Sequence, residues 1–415
     1  MLDGLLSGYR ALDLSDEKGF VCGKILAVLG VETIKVEPPG GDPARKIPPF
    51  LNGRTEIDSG LYWLAYNTDK RSITLGLEHL QGRDLFKRLV SRCDFVIESF
   101  EPGYLDAIGL GYSDLARINP RIILTSISPF GQKGPYSRFK GSELVVSAMS
   151  GIMSTNGDAD RPPLREGLDT IYFESNAAAA LGTLMAHYVR ETRGVGQQVD
   201  VSMQEVAAKR TSSNLLVWEF DKRLIKRAGA VRTVGARSTR WIWECKDGYV
   251  FWSFMGGKPG AQGNRAMSKW LDDDGIENPM RLITNWEEFD MAAQDVSKEL
   301  LDAQQEAITQ LFSRHTKKQI TEEGLKRGLH ACVINNPADI LENSQLQARD
   351  YWAEIDSAGT NDFQKYPKYF LVSNETENFV KSAAPVVGEY NNVLYKRELK
   401  LSDKEITDLE IAGVI

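Results

Sequence analysis

The sequence predicts an α/β protein with two domains, a larger one built on a Rossmann-like parallel sheet and a smaller α+β one. Residues 10–14, 15–30 and 31–45 have the patterns of a strand, a helix and a strand that runs into a turn. A strand, a helix and a strand in so short a stretch form a βαβ unit, whose strands are parallel. From residue 235 the pattern changes to short strands, which indicates the second domain. The length of 415 residues, with 42% apolar content, suffices for two cores.

The composition argues against several classes of function. A formal charge of −7 and a pI near 5.4, without clustered Lys and Arg, argue against a nucleic-acid partner. No apolar run has the length of a membrane span, and the first residues lack the pattern of a secretion signal, so we expect a cytoplasmic protein without a membrane partner. The four cysteines and four histidines lack the spacing of metal ligands, so we expect reduced thiols, no metal and no tightly bound cofactor.

Further elements of the larger domain follow in order. Residues 61–77 predict a strand, a polar turn and another strand. Residues 81–91 predict a helix, and residues 93–100 predict a buried strand after it. These patterns extend the parallel sheet beyond the first βαβ unit.

A helix over residues 175–190 is the element around which we expect the site to form. Its apolar side chains recur at helical spacing, and Ser175 and Asn176 are expected to cap its first turn. Four alanines follow, and their small side chains would let backbone or ligand approach the positive end of the helix dipole. The same pattern also fits a buried, tightly packed helix with no ligand.

The second half of the chain predicts a crossing helix and then a small domain. Residues 202–230 predict a long helix that leaves the first domain, and residues 246–248 are a strong hairpin signal. A glycine-rich loop is predicted between the next strand and helix, where positive φ angles and hinge-like movement are permitted, at Gly256, Gly257, Gly260 and Gly263. Residues 272–327 are charged and predict helices.

Several strings of the chain are characteristic of one enzyme family. They include KVEPPGGDPAR at residues 35–45, NTDKRSITL at 67–75, FGQKGPY at 130–136 and PPLREG at 162–167. On these strings the chain resembles the class III CoA-transferases, the CaiB/BaiF family, over nearly its whole length. The resemblance implies a ring-shaped chain that interlocks with a second chain. It also implies a large domain over residues 1–200 and 381–415, a linker over 201–234, a small domain over 235–328 and a return linker over 329–380.

The resemblance places a tyrosine where the family has its covalent nucleophile, the aspartate before the small-residue helix. Aligned without a gap from Pro162 to Gln197, that position holds Tyr172. The family's carboxylate attacks an acyl-CoA thioester and forms a mixed anhydride, then an enzyme-bound CoA thioester. A phenol, with an ordinary pKa of about 10, would give an aryl ester that cannot carry CoA. Asp169 and Glu174 are the nearby carboxylates that could replace the missing one.

The resemblance also implies which residues contact CoA and line the cleft. Expected CoA contacts lie on three loops, at Lys70, Arg71, Ser99, Phe100 and Lys140. Glu143 stands where the family has an acidic residue at the active cleft, and the glycines of residues 256–263 stand where it has a mobile active-site loop. Ordinary surface contacts are the alternative for Lys140 and Glu143.

Two arginines of the family pattern are replaced in this chain. Their positions hold Glu101 and Ala107, and the family's second arginine lies close to the phosphates of CoA. Because CoA brings about four negative charges to its site, these replacements should weaken its binding. Variation on a solvated face is the alternative reading.

Three hypotheses about function follow from the resemblance. The first is a non-catalytic subunit that pairs with a paralogous catalytic chain, in a complex that moves CoA from an acyl-CoA such as succinyl-CoA to a carboxylic acid such as benzylsuccinate. Such an acceptor belongs to the anaerobic degradation of aromatic compounds such as toluene. The second is an active homodimer that uses Glu174 or Asp169. The third is a CoA-binding or assembly subunit without chemistry.

Overall fold

The computed structural model describes residues 4–53, 56–234, 237–290, 297–356, 363–368, 370–376 and 379–415. The chain divides into two units. The large unit comprises residues 1–153, 165–224 and 345–415, and the small unit comprises residues 154–164 and 225–344. Residues 201–224 and 345–380, predicted as linkers, are therefore grouped with the large unit.

The large unit is built on a parallel sheet of six strands, as the sequence predicts. The strands lie in the order β3-β2-β1-β4-β5-β6, and every neighbouring pair is parallel. This is the strand order of doubly wound dinucleotide-binding folds. Their bounds are β1 (Arg10–Asp13), β2 (Glu32–Glu37), β3 (Arg71–Thr74), β4 (Phe95–Glu98), β5 (Ile123–Ser128) and β6 (Gln198–Ser202).

Helices cover both faces of this sheet. The helices of this part of the large unit are α1 (Phe20–Val28), α2 (Leu61–Tyr66), α3 (Leu80–Val90), α4 (Tyr104–Ala107), α5 (Tyr112–Ile118), α6 (Glu143–Met149), α7 (Thr170–Arg193), α8 (Met203–Lys209) and α9 (Ser212–Asp221). Neighbouring strand residues point to opposite faces, so Leu12 and Val96 join one apolar core while Ala11 and Phe95 join the other. Both faces are covered, so β4 and β5 are buried along their whole length, including the polar residues Thr125 and Ser126.

The small unit contains the predicted hairpin and its own core. Its strands are β7 (Val231–Val234), β8 (Arg237–Arg240), β9 (Ile242–Cys245), β10 (Gly248–Phe251) and β11 (Cys332–Ile334). Its helices are α10 (Gly257–Asp273), α11 (Lys298–Ser313), α12 (Lys317–Arg327) and α13 (Pro337–Leu341). β9 and β10 pair antiparallel across the predicted turn. Four tryptophans anchor the core, namely Trp243, Trp252, Trp270 and Trp286.

The C-terminal part of the chain adds the remaining elements. They are α14 (Ser344–Ala348), β12 (Trp352–Asp356), β13 (Phe363–Pro367), a π-helix (Asn392–Glu398) and α15 (Asp403–Ile411). β12 and β13 pair antiparallel, and the side chains of Leu394 and Leu409 join the core of the large unit. In the part of the chain that the structure describes, no helix has the length and apolar character needed to cross a bilayer.

Three expectations about elements were wrong. Residues 61–66 form a helix rather than a strand: the two buried residues of the segment, Trp63 and Leu64, are consecutive and do not follow the alternation of a half-buried strand. The predicted long helix after residue 202 is two helices, which end at Lys209 and Asp221. The helix predicted from Ser175 begins at Thr170 with Asp169 as its N-cap, so the serine is internal.

Buried charges join β1 and β2 to Lys70, the residue directly before β3. The Lys70 ammonium donates to Asp13 Oδ2 at 2.7 Å, to the Phe20 carbonyl at 2.8 Å and to Asn67 Oδ1 at 2.8 Å. Lys35 donates to the carbonyl of Ser15 at 2.5 Å. Burial by itself would raise the pKa of Asp13, but Lys70 and Lys35 hold it below its ordinary value. The carboxylate is thus kept ionised inside the protein.

A second buried ion pair extends this network. Arg45 donates to both oxygens of Glu37 at 2.7 Å and stacks over the ring of Trp63, with its guanidinium carbon 3.7 Å from the ring centre. Arg45 also donates to the carbonyl of Pro385 at 3.0 Å, which ties the C-terminal segment to β2. Bidentate geometry and complete burial make this the stronger kind of ion pair.

We predict that Lys70→Met destabilises the chain by about 3–5 kcal/mol, because it leaves the Asp13 carboxylate buried without its partner. Urea unfolding followed by circular dichroism measures the change. Lys87→Met, which removes an exposed partner of Asp84, should cost less than about 0.5 kcal/mol. Equal stability of the two variants would show that the buried pair has no such role.

Candidate active site

The strand order reverses between β1 and β4, and the loops after these two strands meet there. In doubly wound sheets ligands bind at this point, outside the carboxyl ends of the strands. The Ser99 hydroxyl donates to Asp16 Oδ1 at 2.6 Å, and the Asp16 N–H donates to Ser99 Oγ at 2.8 Å. Phe100, half-buried, follows on the same loop. Ser99 and Phe100 therefore lie at the edge of the sheet where doubly wound folds bind ligands, and their contact with CoA stays a prediction.

Glu98, the last residue of β4, is a buried carboxyl group at this edge. Its Oε2 accepts the Phe100 N–H at 2.8 Å, and Ser126 also bonds to it. Burial raises the pKa of Glu98 to about 7, against the opposing effect of these hydrogen bonds. The group therefore titrates near neutral pH.

Tyr172 lies in the first turn of α7, and its phenol is engaged by the protein. The Glu143 N–H, at the start of α6, donates to the Tyr172 hydroxyl oxygen at 3.0 Å. The tyrosine side chain is buried, and burial raises its pKa above the ordinary value. Because a raised pKa keeps the phenol neutral, Tyr172 supplies no anionic nucleophile at neutral pH.

The Glu143 carboxylate lies at the amino end of α7. It accepts the backbone N–H of Ile171, the second residue of that helix. Glu143 is buried, and burial raises the pKa of its carboxyl group although Arg165 opposes the rise. The exchange of hydrogen bonds joins α6 and α7: Glu143 caps α7 with its side chain, and Tyr172 caps α6 with its hydroxyl.

Asn176, expected as a cap, instead bridges α7 to α1. Its Nδ2 donates to the carbonyls of Lys18 and Tyr172, each at 2.6 Å, and its Oδ1 accepts the Cys22 N–H at 2.8 Å. The side chain is completely buried. The bridge fixes Tyr172 relative to the loop that follows β1.

The other predicted CoA contacts lie in different surroundings. Lys70 is buried in the charge network, so its ammonium already has three protein acceptors. Arg71 pairs with Glu32 at 2.5 Å and stacks on Tyr390. Lys140 is exposed on the segment before α6. A contact of these three residues with CoA stays a prediction.

Asp169 and Glu174, the carboxylates that could replace the missing nucleophile, lie beside different arginines. Asp169 caps α7 by position, and its half-exposed carboxylate is 3.3 Å from Arg165. Glu174 is 3.5 Å from Arg210, which pairs more closely with Glu166 at 2.5 Å. Each carboxylate therefore has a cationic partner already.

The predicted glycine loop is largely the first turns of α10, so the expectation of a loop was wrong beyond its first residue. Gly256 is the N-cap, and Gly257 has a φ of +66° that other residues rarely adopt. A Cβ at Gly260 would come within 1.9 Å of the Met255 carbonyl, which explains the glycine there. Gly263 faces open space. A role at the active site for the four glycines of this segment stays a prediction.

The structure also shows site residues that the sequence reasoning missed. Asp16 and Glu98 were passed over because a single acidic residue at a strand end has no distinctive pattern. Their place beside the reversal of strand order was the available signal. Among the residues that the structure describes, no group of three or more His, Cys, Asp and Glu is arranged to hold a metal ion.

Comparison with known proteins gives the following matches. A sequence model of CoA-transferase family III matches residues 6–391. The chain is 31% identical over 355 residues to the protein named succinyl-CoA:(R)-benzylsuccinate CoA-transferase subunit BbsE of Thauera aromatica, a match that covers 83% of this chain and 82% of that one. It is 28% identical over 418 residues to the succinyl-CoA–L-malate CoA-transferase beta subunit of Chloroflexus aurantiacus, covering 99% and 98%.

A crystal structure confirms the fold. A CaiB/BaiF family protein from Brucella suis superimposes with a TM-score of 0.81 at 24% identity, and the match covers 95% of this chain and all of that one. The predicted fold class, a parallel-sheet α/β domain with a smaller domain, is thereby confirmed for the chain.

We predict that Tyr172→Phe lowers the stability of the chain by about 1–3 kcal/mol, because the Glu143 N–H loses its buried acceptor. Tyr188→Phe is the matched control on the same helix, since 73% of Tyr188 is exposed. Urea unfolding should show a clear loss for the first variant and almost none for the second. An unchanged midpoint for Tyr172→Phe would contradict the assigned hydrogen bond.

We also predict a pH-dependent stability from Glu98. The folded chain holds this proton up to about pH 7, whereas the unfolded carboxyl group releases it near its ordinary pKa of 4.5. The free energy of unfolding should therefore decrease as the pH rises from about 4.5 to about 7. Glu98→Gln, which keeps the acceptor for Phe100, should remove this fall and be more stable at pH 8 by about 1–3 kcal/mol. Thermal unfolding at a series of pH values measures it, with the exposed Glu101→Gln as control. The same pH profile for Glu98→Gln and the native chain would contradict the assignment.

Proposed function

The chain belongs to CoA-transferase family III, and on that premise we propose that it is the non-catalytic subunit of a heteromeric CoA-transferase. Its partner would be a paralogous chain that has the nucleophilic aspartate. The complex would move CoA from an acyl-CoA such as succinyl-CoA to a carboxylic acid. The proposal concerns how the family's chemistry is divided between two chains.

The proposal rests on the burial, the raised pKa and the hydrogen bond of the Tyr172 phenol. Covalent catalysis of this kind needs a carboxylate that is ionised at neutral pH and can form and break an anhydride. The Tyr172 phenol is buried, has a raised pKa and accepts a backbone N–H from Glu143. It is therefore integrated into the packing of α6 against α7 and has no access to that chemistry.

The substitutions at the other end of the expected CoA site support the same proposal. Glu101 is exposed directly after Phe100, and Ala107 ends α4. A carboxylate and a methyl group in these positions offer no cation to the phosphates of CoA. A chain whose own CoA site is weak would depend on its partner for turnover.

The names of two relatives support a heteromeric assembly. Both the benzylsuccinate enzyme of Thauera aromatica and the malate enzyme of Chloroflexus aurantiacus are named as subunits, and both names give succinyl-CoA as the donor. We infer succinyl-CoA as the donor class here as well. For the acceptor, the first relative suggests a dicarboxylic acid such as benzylsuccinate.

We predict that the purified chain alone has no CoA-transferase activity, and that activity appears when it is co-expressed with a paralogue that has the aspartate. A pull-down through a tag on this chain should recover the paralogue. Turnover of succinyl-CoA with benzylsuccinate is then measured for each chain alone and for the complex. Full turnover by this chain alone would contradict the proposal and would favour Asp169 or Glu174 as nucleophile.

We further predict that Tyr172→Asp alone restores little CoA thioester formation, because two phosphate contacts are missing, each worth about 1.5–3 kcal/mol. Adding Glu101→Arg and Ala107→Arg should increase the yield of the CoA adduct, measured by intact mass after incubation with succinyl-CoA. The matched control adds both arginines to the native chain with Tyr172 retained. Robust turnover from Tyr172→Asp alone would show that the arginine positions contribute little.

A further inference from the structure

A large cavity lies within the large unit, on the face of α7 that bears Phe173 rather than Tyr172. Its volume is about 910 Å³, within the range of small-molecule sites. Residues of α1, α2, α7 and the β12–β13 hairpin line it, and most of the lining is apolar. The cavity therefore lies beside Tyr172, on which the proposed function rests, but other side chains line it.

Aromatic rings form much of this lining. They belong to Tyr66, Phe173, Tyr351, Tyr366 and Phe370. Tyr66 and Phe173 meet edge to face, with ring centres 5.2 Å apart. Such a wall favours an apolar or aromatic body, which gains both burial and edge-to-face contacts.

Lys24 contributes a cationic group to the lining of this mostly apolar cavity. Lys24, on α1, donates to the carbonyl of Ala65 at 2.6 Å, which uses one of its three N–H groups. Lys365 and Lys368 also line the cavity, and the Lys368 ammonium pairs with Asp350. The acidic residue of the lining, Glu174, lies 3.5 Å from Arg210. A ligand with a negative head group would therefore be favoured over a neutral one.

We propose that this cavity binds an amphiphilic carboxylate, with the apolar or aromatic body among the rings and the carboxylate paired with the Lys24 ammonium. Burial lowers the pKa of Lys24 to about 8, although Asp69 opposes the decrease. A carboxylate at this point offsets that desolvation, whereas a wholly apolar occupant leaves it uncompensated.

The experiment compares two probes of the same shape, 4-phenylbutyrate and 4-phenylbutan-1-ol, by isothermal titration with the full-length chain. The acid should bind at one site per chain, about tenfold or more tightly than the alcohol, as expected for a charge-assisted hydrogen bond. Lys24→Met should remove this preference for the acid and leave binding of the alcohol unchanged. Lys87→Met, at an exposed position on α3, should change neither affinity.

A second variant tests the location of the site. Ala177 lines the cavity from α7, and Ala177→Phe should weaken both probes because its ring fills part of the space. Thermal unfolding of each variant without probe shows whether it is folded. The proposal fails if neither probe binds the folded native chain, or if Lys24→Met keeps the preference for the acid. It also fails if folded Ala177→Phe binds both probes like the native chain.

Discussion

The buried charges of β1, β2 and the residue before β3 are the constraint on which the large unit depends. Asp13 and Lys70 neutralise each other inside the protein at 2.7 Å, and Glu37 and Arg45 do so next to them. Removing one partner of such a pair leaves an unpaired buried charge, which is far more costly than losing a surface ion pair. The network also reaches the carbonyls of Phe20 and Pro385, so it joins the sheet to α1 and to the C-terminal segment.

Further hydrogen bonds connect this part of the sheet to the start of α7. The loop after β1 holds Asp16 against Ser99, and the carbonyl of Lys18 on that loop accepts from Asn176. The Asn176 side chain also accepts the Cys22 N–H and donates to the Tyr172 carbonyl. These bonds fix the first turn of α7, where the Tyr172 phenol accepts the Glu143 N–H and supports the packing of α6 against α7.

The parallel sheet and the hairpin could be predicted from the sequence, because strand patterns and turn signals depend on local order, whereas the place of Tyr172 in the active site stays a prediction. The sequence mispredicted residues 61–66, where tertiary burial of Trp63 and Leu64 favours a helix over the strand suggested by aromatic residues. It placed the start of α7 five residues late, because the cap Asp169 has only a weak pattern. Contacts such as Lys70 with Asp13, or the cavity around Lys24, join distant segments, and a single sequence contains no signal for them.

We propose that this chain supports a CoA-transferase without carrying the covalent intermediate. The most direct measurement is the intact mass of each separated subunit after the co-purified complex has reacted with succinyl-CoA. The account predicts a CoA adduct on the partner and an unmodified mass for this chain. A CoA adduct on this chain, located by peptide mapping to Asp169 or Glu174, would contradict it.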